Sequence, residues 1–110
     1  MANTYKILGQ ARPADTAVAD LYTVPAATQA VISTISATNV DGVASNINIY
    51  VIPAGGTAGV ANALVYAASL EAYTVQAFTI GLTLGAGDKI SVQSATSSAV
   101  TYQVFGQEIS

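Results

Sequence analysis

The chain has 110 residues, of which 52% are hydrophobic and 8% charged, and its formal net charge is −3. This length suits a single domain, and a soluble domain usually carries roughly 25% charged residues, so the chain has about a third of the usual charge. Three basic residues cannot form the positive surface that binds nucleic acid. We therefore expect no nucleic-acid partner.

The residue types that the chain lacks exclude most catalytic and metal-binding chemistry. It has no Cys and no His, which removes thiol nucleophiles, disulfides, the usual zinc ligands and the usual general base near pH 7. The glycine-rich segments 55–59 and 85–87 do not match nucleotide-binding loops. The carboxylates, each in or beside a predicted turn or strand end, are Asp15, Asp20, Asp41, Glu71, Asp88 and Glu108. We expect no enzymatic activity, no catalytic residues, no cofactor and no metal.

No targeting or membrane segment is predicted. Residues 1–6 are polar and lead into a strand-like stretch, so they lack the positive start and apolar run of a signal peptide. No stretch approaches the ~18 unbroken apolar residues of a spanning helix. We expect no membrane partner, and we expect the protein to stay in the cell that makes it or to leave inside an assembly.

Hydrophobic residues recur mostly at every second position, which is typical of half-buried strands. The pattern predicts strands over residues 5–10, 21–24, 30–38, 46–52, 63–71, 73–84, 89–94 and 99–109. The clearest is 46–52, where Ile47, Ile49 and Val51 face one way and Asn46, Asn48 and Tyr50 face the other. Segment 63–71 is rich in Ala and Leu, which suit helices, but Tyr66 and its flanking pattern favour a strand. The small, glycine-rich segment 57–63 is predicted to be a mobile loop.

Turn residues at 39–42, 53–56 and 85–88 separate these strands. Short strands with a turn about every 8–12 residues indicate an all-β fold, an antiparallel β-sandwich of jelly-roll or Ig-like type with about eight short strands. We expect one sandwich domain over residues 1–110, in which 1–20 form a strand plus an arm. The predicted core consists of Ile35, Ile47, Ile49, Val51, Phe78, Ile80, Leu82, Val92, Val104 and Phe105.

The two ends of the chain share a pattern. Residues 5–10 and 102–107 both have the form Tyr-x-apolar-apolar-Gly-Gln. Two strands of matching pattern could lie side by side and hold both ends in the sandwich. The alternative is coincidence in a chain rich in Tyr, Gly and Gln.

Six tyrosines are the remaining functional signal. Tyrosine suits strands, but it also provides contact area and a hydrogen bond at protein interfaces, and with asparagine it can line a sugar site. Because so little of the surface is charged, we expect an oligomer, a trimer, that also attaches to a larger protein lattice. The alternative is a monomer kept soluble by Thr, Ser and Asn. The candidate interface residues are Arg12, Tyr22, Tyr66 and Tyr73.

Several segments resemble small virion proteins of tailed bacteriophages. They are residues 5–10, 20–26, 29–35, 82–84, 105–106 and 108–109, so the resemblance extends over most of the chain. Their motifs are structural and not catalytic. The resemblance implies a jelly-roll or Ig-like sandwich that attaches to a capsid as a decoration (cement) protein, or to a tail as a fibre or baseplate part.

This resemblance implies a non-enzymatic virion structural protein that is made in the host cytoplasm. A fibre usually needs heptads or repeats, and the chain has neither. A capsid decoration protein that stabilises the capsid surface is therefore the first hypothesis, with the protein itself and the major capsid protein or tail proteins as partners. A tail, baseplate or fibre component and a lectin-like carbohydrate-binding module are the alternatives.

Overall fold

The computed structural model describes residues 3–110, in which nine strands and one short 3-10 turn form. The strands are β1 (Asn3–Ala11), β2 (Ala19–Thr23), β3 (Gln29–Asn39), β4 (Ser45–Ile52), β5 (Ala63–Leu70), β6 (Val75–Phe78), β7 (Leu82–Leu84), β8 (Lys89–Ser94) and β9 (Val100–Ile109). The 3-10 turn, Val60–Asn62, lies in the predicted loop before β5. Within this part of the chain, no helix has the length and hydropathy to cross a membrane.

The strands form two antiparallel sheets that pack face to face. The first has the order β1-β9-β3-β6, with β7 also pairing with β3, and the second has the order β2-β8-β4-β5. The chain changes sheet at each connection except the β4–β5 hairpin and the step from β6 to β7. If β6 and β7 count as one interrupted strand, this is the two-Greek-key order of an eight-stranded jelly roll. The predicted all-β antiparallel sandwich is confirmed, and the strand order selects the jelly roll over the Ig-like alternative.

The pattern-based prediction of one long strand over residues 73–84 is wrong. Strand β6 ends when Phe78 pairs with Ile35, and β7 begins when Leu82 pairs with Ile32. Three residues, 79–81, therefore lie opposite only two residues of β3 and leave the ladder. A glycine, Gly81, weakens strand geometry at this point. The alternation is lost across the break, so Ile80 is exposed although the sequence predicts it in the core.

The core lies between the two sheets and contains half of the predicted set. Fully buried members of that set are Ile35, Ile47, Ile49, Val92 and Val104. Partly buried members are Val51, Phe78, Leu82 and Phe105. Neighbours in a strand point to opposite faces, so Val104 and Phe105 cannot both point inward.

The core also holds a tyrosine that the sequence does not single out. Tyr102 has no exposed surface, and its hydroxyl donates to the Gln93 carbonyl oxygen at 3.0 Å. Burial raises the pKa of Tyr102 to about 12. Its hydroxyl therefore stays neutral over the ordinary pH range.

The two ends of the described chain pair with each other, as the shared pattern suggested. Strand β1 runs antiparallel to β9, with Tyr5 opposite Gln107 and Gln10 opposite Gln103. The amide nitrogen of Gln10 also donates to the Gln103 amide oxygen at 2.9 Å. The repeated glycine of the motif has a steric reason, since a Cβ on Gly9 would collide with a backbone oxygen of β2.

The segment predicted as an arm lies against its own chain. Beyond β1, the Ser98 N–H donates to the Pro13 carbonyl oxygen at 3.0 Å. The Gln93 side chain donates to the Thr16 carbonyl oxygen at 3.1 Å. Met1 and Ala2 lie outside the described residues. The segment after β1 is therefore hydrogen-bonded to the sandwich of its own chain.

Candidate interaction site

One predicted interface residue, Tyr22, is buried in the protein. Its side chain is 8% exposed, and its hydroxyl donates to Glu108 Oε2 at 2.6 Å. The Lys6 ammonium lies 2.8 Å from Glu108 Oε1. Lys6, Tyr22 and Glu108, hereafter the Glu108 cluster, join β1, β2 and β9 at one end of the sandwich. Tyr22 is therefore a buried structural residue in this chain.

The ionisation of the Glu108 cluster follows from these contacts. Hydrogen bonds from Lys6 and Tyr22 lower the pKa of the Glu108 carboxyl below its ordinary value. Burial, and then the adjacent Glu108, raise the pKa of the Tyr22 hydroxyl well above its ordinary value. The cluster therefore holds a carboxylate and a neutral phenol near pH 7.

The other three predicted residues occupy different surfaces. Arg12 donates from Nε to the Ser98 carbonyl oxygen at 2.9 Å and so holds the loop after β1. Tyr66 is exposed on the outer face of the second sheet, and Tyr73 is exposed in the loop between β5 and β6. The structure therefore does not bring the four residues together.

Tyr73 is part of an exposed apolar cluster at the end of the sandwich opposite the Glu108 cluster. The Asn39 N–H donates to the Thr74 carbonyl oxygen at 2.8 Å, which places the β3–β4 and β5–β6 loops side by side. These loops and the start of β6 form what we term the Tyr73 tip. Its large side chains are Val40 (44% exposed), Val43 (66%), Tyr73 (75%) and Val75 (63%).

A buried amide, Asn39, organises the two loops of the Tyr73 tip. Its side-chain nitrogen donates to the carbonyl oxygens of Val43 at 2.9 Å and Leu70 at 3.1 Å. Its side-chain oxygen accepts the Asp41 N–H at 2.9 Å. Asn39 is 1% exposed, so these bonds replace those that water would make. Sequence reasoning identified Asn39 only as a turn residue, since long-range bonds leave no local pattern.

Tyr73 has an unfavourable backbone conformation. Its φ is +56°, in the left-handed region that bulky side chains rarely adopt. Such a residue costs of order 1–3 kcal/mol and persists only where its surroundings impose it, most often at functional sites. A Cβ built on Gly42 would come within 3.2 Å of the Tyr73 hydroxyl oxygen, so the phenol end of the ring lies close to Gly42. The ring therefore reaches from the β5–β6 loop across to the β3–β4 loop.

The outer face of the second sheet is polar by contrast. Asn48 and Tyr66 help to line a shallow depression with Gln93 and Thr16. The Asn48 side chain accepts the Ala67 N–H at 2.6 Å and donates to Gln93 Oε1 at 3.0 Å. The Gln93 amide nitrogen donates in turn to Thr16. Since the protein already uses most of these groups, few are left to bind a sugar.

The carboxylates act on the protein's own turns and strands. Among residues 3–110, no three Asp or Glu side chains gather as metal ligands would. Asp88 accepts the Ala54 and Gly85 N–H groups, each at 2.9 Å. Asp20 accepts the Ser91 hydroxyl at 2.8 Å. These contacts tie loops and neighbouring strands together.

Comparison with known proteins identifies the fold. No protein family model matches the sequence, and no curated protein does. A chain in the structure of infectious bursal disease virus Gx strain has 15% identity and a TM-score of 0.50, over 97% of this chain and 31% of that chain. A chain in the T13 IBDV viral particle has 13% identity and a TM-score of 0.49, over 96% of this chain and 30% of that one.

These two similarities concern part of each viral chain. The protein spans about a third of the length of each. Only the first reaches a TM-score of 0.50, and its 15% identity shows a shared fold and no more. The resemblance to tailed-bacteriophage virion proteins therefore stays a prediction. The protein has a jelly-roll β-sandwich, and its fold is similar to part of a chain in the structure of infectious bursal disease virus Gx strain.

Proposed function

We propose that the protein is a non-enzymatic structural component of a virion, a decoration protein that attaches to a capsid surface and stabilises it. The observation that carries this proposal is the Tyr73 tip, where four large apolar side chains are exposed at one end of a jelly roll. The expected partner is the major capsid protein, and the expected location is the virion.

The Tyr73 tip has the properties of a protein contact. Monomeric proteins rarely expose clusters of large apolar side chains, and those that occur usually mark interaction sites. Interface centres are enriched in tyrosine, which often contributes much of the binding energy. Buried Asn39 holds both loops before any partner binds, so little order has to be gained on attachment.

The fold and composition support a place in a virus particle. A chain from an infectious bursal disease virus structure has a similar sandwich. Only 8% of the residues are charged, so flat subunit contacts would require little charge desolvation. A decoration protein also needs no strong individual contact, because many weak contacts on one lattice add up.

Location separates a decoration protein from a tail, baseplate or fibre component. Antibody labelling of virions should place the protein on the head, at a copy number close to that of the major capsid protein. Labelling confined to the tail would make the tail alternative correct.

Two matched tyrosine variants test the attachment site. Tyr73→Asn removes the ring from the Tyr73 tip, and asparagine tolerates the left-handed conformation. Tyr66→Asn removes an exposed ring from another surface. In co-sedimentation with capsids stripped of this protein, Tyr73→Asn should bind at least about tenfold more weakly, a loss of about 1.4 kcal/mol. Tyr66→Asn should bind like the unaltered protein. Equal binding by all three proteins would contradict the assignment of the Tyr73 tip.

A further inference from the structure

The edges of the two sheets differ in how well they are protected. An edge strand exposes unpaired backbone groups, and proteins blunt such edges with short strands, bulges and breaks. The β6–β7 edge is broken into strands of four and three residues. Strand β2 has five residues and a register shift. Strand β5 has two register shifts against β4 and carries Ala67 with φ of +54°.

The fourth edge, β1, is long and partly regular. It has nine residues, and its single register shift lies between Ile7 and Gly9. Near Gly9 the strand lies against the Leu21 backbone of β2. Residues 3–7 pair with β9 on one side only, since β1 ends the strand order of its sheet. This half of β1 is therefore the least protected edge in the described part of the chain.

The one charged side chain on this segment is paired with a carboxylate of its own chain. A lysine on an edge strand usually discourages pairing with another chain. Here the Lys6 ammonium lies 2.8 Å from Glu108 of its own chain. On the outer face, Tyr5 is 77% and Ile7 55% exposed, and they line one groove with Phe105. A strand that pairs with this edge should therefore be nearly uncharged and carry apolar side chains on the same face, as β1 itself does.

We propose that residues 3–7 of β1 pair antiparallel with the same residues of a second copy across a two-fold axis. The first sheets of the two copies then join into one sheet. A register centred on Tyr5 places Tyr5 opposite its counterpart and Thr4 opposite Lys6. A register centred on Lys6 would oppose two like charges, which destabilises strand pairs.

This inference goes beyond the proposed attachment and does not depend on the Tyr73 tip. The contact is isologous, so that both copies use the same surface, and it closes as a dimer. It therefore differs from the trimer that the sequence suggested. The tips of both copies stay free to bind elsewhere.

Two lysine variants test the surface in the isolated protein. Ile7→Lys adds an unpaired charge beside the edge, and Val60→Lys adds one at an exposed valine in the 3-10 turn before β5. Sedimentation equilibrium should give twice the chain mass of 11.1 kDa for the unaltered protein and for Val60→Lys. Ile7→Lys should give the single-chain mass, with its circular dichroism spectrum unchanged. A trimer, or an unaltered protein that is monomeric at ~1 mM, would overturn the proposal.

Thiol cross-linking tests the register, because the chain has no cysteine of its own. Residues directly opposite in paired strands have Cβ atoms about 4.5–5.5 Å apart, close to the separation that a disulfide needs. Under mild oxidation, Tyr5→Cys should become a covalent dimer at low protein concentration. Tyr73→Cys, which has similar exposure, should cross-link at least about tenfold more slowly. Equal rates would contradict the pairing, and they would leave the capsid-binding comparison of Tyr73 and Tyr66 unaffected.

Discussion

The Glu108 cluster and the Tyr73 tip lie at opposite ends of the same sandwich and use tyrosine in opposite ways. In the cluster, Tyr22 is buried and its hydroxyl binds a carboxylate. In the tip, Tyr73 is 75% exposed and its backbone is in an unfavourable conformation. The first arrangement joins neighbouring strands, and the second leaves apolar surface exposed to solvent. A tyrosine's role in this fold therefore depends on whether neighbouring strands cover its side chain.

The largest expected effect comes from the core that supports both ends. Ile49 has no exposed surface and lies on β4, in the middle of the second sheet. Ile49→Ala should lower the free energy of unfolding by about 2–5 kcal/mol, from lost burial and the remaining cavity. Urea unfolding followed by circular dichroism measures the loss. A loss below ~1 kcal/mol would mean that the Glu108 cluster and the Tyr73 tip are stabilised independently of the core around Ile49.

The next largest effect is expected in the Glu108 cluster, where a tyrosine hydroxyl binds a charged group. Tyr22→Phe removes the hydroxyl that binds the Glu108 carboxylate, and a bond to a charged group contributes about 1.5–3 kcal/mol. Tyr50→Phe is the matched control, because its hydroxyl donates to the neutral Gln93 amide at 3.1 Å. It should cost about 1 kcal/mol. Equal losses in urea unfolding would show that the charge of Glu108 adds nothing.

Acidification should remove the stabilisation that the Glu108 cluster contributes to the fold. The pKa of Glu108 is lower in the folded protein than its unfolded value of about 4.3. The carboxylate therefore stabilises the fold above that unfolded value, and this contribution disappears as the pH falls through the folded pKa. Between pH 7 and pH 3, the free energy of unfolding should fall more for the unaltered protein than for Glu108→Gln. A parallel fall in both would assign the acid sensitivity to other carboxylates.

The smallest effect on stability is expected at the Tyr73 tip. Tyr73→Asn removes an exposed ring and relieves a bulky residue in the left-handed region. The free energy of unfolding should not fall by more than about 0.5 kcal/mol, because relief of the left-handed backbone offsets the loss of the exposed ring. The same variant is expected to lose capsid binding, so the Tyr73 tip would matter for contact and not for folding. A large thermal destabilisation would instead make Tyr73 a structural residue like Tyr22.

Much of the fold could be predicted because it rests on local alternation. Residues 46–49 of β4 and 35–38 of β3 alternate inward apolar and outward polar residues, and both strands occur where the pattern predicts them. The shared motif at the two ends predicted the pairing of β1 with β9. The break at 79–81 could not be predicted, because it depends on the register of β3 against two neighbours.

The candidate site was predicted only at one residue, Tyr73. Its neighbours in the Tyr73 tip come from a different loop, which Asn39 holds through bonds to Val43 and Leu70. Tyr22 and Tyr73 both follow apolar-rich segments and look alike in sequence. Only the strand order brings Glu108 to one of them and leaves the other uncovered.

The sequence by itself therefore determined the fold class, since period-two alternation needs only neighbouring residues. Its composition also removed the side chains that most catalytic and zinc sites require. Tertiary structure alone decided which tyrosines are buried, which amide organises the tip and which sheet edge stays unprotected. These properties depend on contacts between residues far apart in the chain, such as Tyr22 with Glu108 and Asn39 with Leu70. Alternation distinguishes the two faces of a strand, but neighbouring strands decide which of those faces and edges are covered.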